Sequence, residues 1–121
     1  MTTNSLPMIT GIGYAVPNKV VTNDDLTHLY ETSDEWIYTR TGIKERRIFA
    51  SDDEAFDLLR QAAEQAVKNA GIDVETLDLI VAATSMPVQF MPSSSCMVQH
   101  LLGIKKNVTA FEISVACSGF V

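Results

Sequence analysis

The sequence predicts a layered α/β fold with mostly parallel strand pairing. Two apolar runs, 77–83 and 108–116, have the length and composition of buried strands. Segments with apolar residues at helical spacing, each followed by a glycine, precede and separate them. The resulting order of strand, helix, strand, helix, strand favours parallel pairing through right-handed crossovers. At 121 residues the chain is at most one domain, and it can bury roughly two thirds of its unfolded surface.

The elements follow in order. Residues 8–17 read as a first strand that stops at Pro17. Its Gly11-x-Gly13 is too little for a dinucleotide site, because Val16 stands where a third glycine belongs; the glycines instead let neighbouring backbone approach closely. Thr22 or Asn23 caps a short helix with Asp24 and Asp25 at its positive end. Ser33 starts a second helix, with Asp34 and Glu35 in its first turn, and Gly42 ends it. Residues 43–50 are then extended, mixed apolar and charged, and suit an edge hairpin.

Ser51 and Glu54 have the spacing of a capping box. The helix beyond them carries Leu58, Leu59, Ala62, Ala63, Ala66, Val67 and Ala70 on one stripe and closes at Gly71. Its alanines allow close approach to a sheet or another helix. The strand 77–83 is nearly continuous in apolar residues, as a strand covered on both faces would be. A loop with Pro87 and Pro92 leads into a helix over 93–102, closed by Gly103, and the last strand covers 108–116.

Composition narrows the function. Apolar content is 46% and charged content 20%, which suits an ordinary globular chain. A net charge of −6 gives no reason to expect nucleic-acid binding, and the short Lys44-Glu-Arg46-Arg47 cluster reads as a solvated strand or turn. No run is long and apolar enough to span a membrane, and the N-terminus lacks the basic start and apolar core of a signal peptide. A cytoplasmic location is the default expectation, with Cys96 and Cys117 reduced. Two cysteines without flanking ligand pairs do not make a metal site, so no metal is expected.

Cys117 is the strongest single candidate for chemistry. It falls where the last strand turns, among Ala116, Ser118 and Gly119, small residues of the kind a sharp strand-to-helix turn needs. A thiol at a helix N-terminus sits in a field that favours thiolate, the nucleophilic form. The same logic governs the serine elbow of α/β hydrolases. From context alone a second reading stays open: a small core residue that happens to be cysteine. Cys96, mid-helix among apolar neighbours, reads as core. His28 and His100 read as structural or exposed. The chain stops four residues after Cys117, which suggests the front part of a larger protein.

Two motifs carry a family resemblance. Thr32-Ser-Asp-Glu-Trp36-Ile-x-x-Arg40-Thr-Gly-Ile43 is followed by Lys44-Glu-Arg46, and Ala116-Cys-Ser-Gly-Phe120 ends the last strand. Together they resemble β-ketoacyl-acyl-carrier-protein synthase III, a condensing enzyme of the thiolase superfamily, over almost the whole chain. The resemblance implies the N-terminal part of a thiolase-like, layered αβαβα fold. It implies that Cys117 takes an acyl group from acyl-CoA, and that malonyl-acyl-carrier protein then loses carbon dioxide and attacks the acyl-cysteine. It also implies that Trp36 and Arg40 line the mouth of the CoA tunnel, with Thr32 beside the adenine. The family often carries a phenylalanine before the proline matching Pro92, reaching into the partner subunit's acyl pocket; here Met91, preceded by Phe90, holds that place. A homodimer without a cofactor is implied, acyl-CoA being a substrate.

The family's catalytic histidine and asparagine lie in its second half, and neither His28 nor His100 matches that position. The 121 residues alone are therefore expected to lack condensing activity. Two alternatives stand beside this reading. One is a related thiolase-superfamily acyltransferase of secondary metabolism. The other is a non-catalytic interaction module that keeps the scaffold.

Overall fold

The computed structural model describes residues 6–120, which form two compact units. One comprises residues 16–58; the other joins residues 6–15 to 59–120.

In the first unit, β1 (Lys19–Thr22) pairs antiparallel with β2 (Glu45–Ile48), Val21 standing opposite Arg46. Between them lie α1 (Asn23–Thr27) and α2 (Asp34–Thr41). Thr22, not Asn23, caps α1, in a reciprocal capping box with Asp25. Ser33 caps α2 through the Trp36 N–H, and Gly42 ends it at φ 70°, a left-handed turn that favours glycine. Strand β2 matches the extended reading of 43–50, but it forms no hairpin there: its partner is β1, on the far side of α1 and α2 in the chain, which has only Val20 and Val21 as apolar residues and gave no strand signal.

α3 (Asp52–Ala70) begins in this unit and continues into the other. Its cap is half the box that the sequence predicts. Ser51 Oγ accepts from the Glu54 N–H at 3.2 Å, but the Glu54 carboxylate accepts from Ala50 N–H, one residue outside the cap.

In the second unit, β3 (Leu79–Ala83) and β4 (Thr109–Ile113) pair in parallel, with α4 (Ser94–Leu101) connecting them. A 3₁₀ turn, Val74–Thr76, precedes β3. The Glu75 carboxylate accepts from the Lys105 N–H at 2.9 Å and the Lys106 N–H at 3.3 Å, fastening the turn before β3 to the turn before β4.

Two expectations are corrected here. Residues 8–17 pair with no strand among the described residues. Their backbone groups go elsewhere: Asn69 Nδ2 donates to the Ile12 carbonyl at 2.8 Å, and the Tyr14 N–H donates to Gln65 Oε1 at 2.7 Å. Both partners are side chains of α3. The glycines do what their spacing suggested. A Cβ on Gly11 would collide with the Ala66 carbonyl and Ala70, and one on Gly13 with the Ala62 carbonyl and Ala66 N. The segment therefore lies directly on the alanine stripe of α3.

The second correction concerns β3. It is covered on one face only, with Ile80 and Ala82 partly buried and Leu79, Val81 and Ala83 exposed. Glu112, in register with Ala82, accepts from Ser94 N–H at the start of α4, which places α4 on the Ile80–Ala82 face. Among the described residues the opposite face is met only at its end, where Gly119 lies against Ala83, and Val81 and Phe111 stand side by side at 45% exposure each. Buried apolar side chains are few: Ala55 and Ile104 among the described residues.

Candidate active site

Cys117 sits on an elbow built by β3 and β4. The Thr84 N–H donates to the Ile113 carbonyl at 3.1 Å and ties the two strand ends together. The chain leaves β4 through Ser114 and Val115 and reverses at Ala116, whose φ is +48°. That left-handed conformation costs an L-residue roughly 1–2 kcal/mol, and such strain clusters at functional turns. Residues Ala116–Phe120 then form a 3₁₀ turn, closed by a 3.1 Å bond from the Ser118 N–H to the Val115 carbonyl. This turn stands where the sequence predicts the start of a helix. Gly119 seats it on β3: a Cβ there would lie 2.8 Å from the Ala83 Cβ. The Cys117 side chain is exposed, so the core reading does not hold for it.

Cys96 is also exposed, contrary to the reading of it as core. It belongs to the first turn of α4, where Ser93 caps the helix and donates its hydroxyl to Cys96 Sγ at 3.2 Å. Helical position alone did not reveal which side of α4 meets the strands. Phe90 and Met91 lie in the loop between β3 and α4 and are 86% and 78% exposed. His28 and His100 are both exposed. Among the described residues no group of three or more His, Cys, Asp or Glu is placed to hold a metal ion, and no helix is long and apolar enough to cross a membrane.

The other unit carries Trp36 and Arg40, one turn apart on α2. The Arg40 guanidinium lies over the indole at 4.4 Å from its centroid, and its Nη1 donates to the Trp36 carbonyl at 3.3 Å. Cation–π attraction and the hydrogen bond hold the pair as one flat, cationic surface patch. Trp36 is 53% exposed. Thr32 precedes the helix, and its Oγ1 is shielded from solvent with no hydrogen-bond partner among the described residues. As placed, that hydroxyl does not present itself to a ligand.

Sequence reasoning missed the polar centre of this unit. Asn23 is 1% exposed, and its side chain makes three bonds: it donates to Asp34 Oδ1 and the Ile43 carbonyl and accepts from Arg46 Nη2, all at 2.7 Å. Arg46 Nη1 also donates to the Val21 carbonyl at 3.2 Å. An asparagine beside a helix cap carries no sequence signal for partners 11 to 23 residues away. Arg46 is therefore an internal tie and not the solvated charge its cluster suggested.

No protein-family model matches the chain. Among solved structures, the 3-oxoacyl-[acyl-carrier-protein] synthase III of Aquifex aeolicus VF5 superposes with a TM-score of 0.84 at 50% identity, over 93% of this chain and 36% of that one. The priming β-ketosynthase of the R1128 polyketide pathway superposes with a TM-score of 0.81 at 31% identity, over 98% of this chain and 36% of that one. The architecture is thus that of the thiolase-like condensing enzymes. Within that class the sequence is similar to β-ketoacyl-[acyl-carrier-protein] synthase III. The protein of that name from Ehrlichia canis (strain Jake) is 51% identical over 114 residues, 94% of this chain and 35% of its own length. That from Clostridium botulinum (strain Loch Maree / Type A3) is 49% identical over 113 residues, 93% of this chain and 34% of its own length. The chain spans about a third of the length of the curated relatives it matches.

Proposed function

We propose that this chain is part of a condensing enzyme that initiates fatty-acid synthesis, with Cys117 as its acyl-carrying nucleophile. The observation that carries the reading is about 50% identity, over nearly the whole chain, with relatives named β-ketoacyl-[acyl-carrier-protein] synthase III. The exposed thiol on a strained elbow agrees with it. In the first half-reaction the Cys117 thiolate attacks the acyl-CoA carbonyl, a thioester forms on Sγ, and CoA leaves as its thiolate. In the second, malonyl-acyl-carrier protein loses carbon dioxide. The resulting carbanion attacks the acyl-cysteine carbonyl and returns the thiolate to Cys117. A cysteine suits both steps, being nucleophile in one and leaving group in the other.

Trp36 and Arg40 bind the nucleotide end of the donor. An indole face stacks on a base, and a guanidinium suits phosphate oxygens. Thr32 adjoins the base once its side chain turns outward, and Phe90 and Met91 face the acyl chain at the subunit boundary. The protein works in the cytoplasm as a homodimer and needs no cofactor. Decarboxylation also requires oxyanion donors, each commonly worth about 10²–10³ in rate, and neither His28 nor His100 is assigned that role. The 121 residues alone therefore do not complete the condensation.

The test supplies the full-length protein with acyl-CoA and malonyl-acyl-carrier protein and follows 3-ketoacyl product. Product that disappears in Cys117→Ala supports the reading; undiminished product in that variant defeats it. The polyketide alternative is less favoured, since its priming ketosynthase stands at 31% identity against 50% for the Aquifex synthase.

A further inference from the structure

We infer that Asn23 is a positioning residue for donor binding: it sets the orientation of α2, and through α2 the Trp36–Arg40 pair. The inference rests on the donor-site reading of that pair. It starts from how little else holds the helix. No residue of Asp34–Thr41 is buried, and Ile37 is its one partly buried side chain, so apolar packing anchors α2 weakly. What it has is a polar tether at its first residue. Asp34 Oδ1 accepts from Asn23 Nδ2, two residues before Trp36. The same amide nitrogen donates to the Ile43 carbonyl, just past the C-terminal end of α2. One buried side chain thus grips both ends of the helix.

Asn23 is itself fixed. Its backbone N–H donates to the Lys44 carbonyl at 3.2 Å, and its Oδ1 accepts from Arg46, which is anchored on the Val21 carbonyl of β1. The orientation of the β1–β2 pair is passed to α2 through this amide. Aspartate has nearly the same shape but donates nothing. It would keep the Arg46 contact, lose both bonds to α2, and set a second carboxylate against Asp34. Such a change frees α2 while leaving the β1–β2 pair tied.

Donor KM and kcat of the full-length protein provide the test, with acetyl-CoA as the probe. Asn23→Asp should raise the donor KM about tenfold with kcat within about twofold, the signature of lost uniform binding. Adding Asp34→Asn to it reverses donor and acceptor across the 2.7 Å contact and should recover part of the loss, the bond to the Ile43 carbonyl staying broken. A merely structural role predicts lower stability without this split and without the recovery. An unchanged donor KM in Asn23→Asp, or a double variant no better than the single one, overturns the inference. If Asn23→Asp does not fold, Asp34→Ala, which removes the acceptor at an exposed position, takes its place: a donor KM raised about threefold supports the inference, and an unchanged one overturns it. Trp36→Ala separates this from the underlying reading. A raised KM there with none in the Asn23 and Asp34 variants rejects the positioning role alone; no rise in any of them rejects the donor site.

Discussion

Trp36 and Arg40 show how a short motif builds a defined surface patch. Helical spacing puts them one turn apart, and the guanidinium settles over the ring at 4.4 Å. Trp36→Ala in the full-length protein should raise the donor KM more than it lowers kcat. Base stacking of this kind is worth about 1–3 kcal/mol, and steady-state kinetics with acyl-CoA as the varied substrate reads it. Asp25 offers a check on the same unit. Its carboxylate accepts from the Thr22 hydroxyl and the Thr22 N–H, each at 2.7 Å, and these bonds hold its pKa below the ordinary aspartate value. A lowered folded pKa means that its contribution is present above the unfolded value and lost as pH falls through the folded one. The α1 cap should therefore loosen only once pH falls below the ordinary aspartate range, seen as faster amide exchange at Thr22 and Asp25. Exchange that does not change below that range would contradict the cap as drawn. Ser33, Gly42 and the turn at Cys117 were legible in the sequence because caps and tight turns are local. Asn23 was not, because its partners come from distant positions, and neither was the left-handed Ala116, since alanine ordinarily gives no turn signal.

Residues 8–17 and α3 teach a related lesson about elements. Alternation and composition describe an extended segment well, but they do not say what its backbone bonds to. Here the partners are Gln65 and Asn69. The glycine spacing and the alanine stripe were each readable, and together they predicted close approach; only the strand ladder was absent. Gly11→Ala and Gly13→Ala follow as tests. Each added methyl meets α3 backbone, which cannot rotate away as a side chain would. Overpacking of this sort costs about 1–3 kcal/mol, so the urea midpoint should fall in both variants. A midpoint unchanged in either would mean that the segment does not lie on α3 as described. The strand β3 was placed within two residues, but its coverage was overestimated. A run of apolar residues reports that both faces suit burial, not that both are buried within the same stretch of chain.

The exposed Leu79, Val81 and Phe111 face, and the few buried apolar residues, describe a chain whose apolar surface exceeds what its own elements cover. Such surface ordinarily meets further protein. β4 carries a single charge, Glu112, and pairs with β3 along one edge only among the described residues. An unpaired apolar edge invites a second strand, and the full-length protein should run as a dimer in light scattering at micromolar concentration; a stable monomer would contradict that. The central claim, however, is chemical. Incubating the full-length protein with acetyl-CoA and mapping the adduct by peptide mass spectrometry tests it most directly. The account predicts one acetyl group on the Cys117 peptide and none in Cys117→Ala. An acetyl group found on Cys96, or retained in the Cys117→Ala protein, would contradict it.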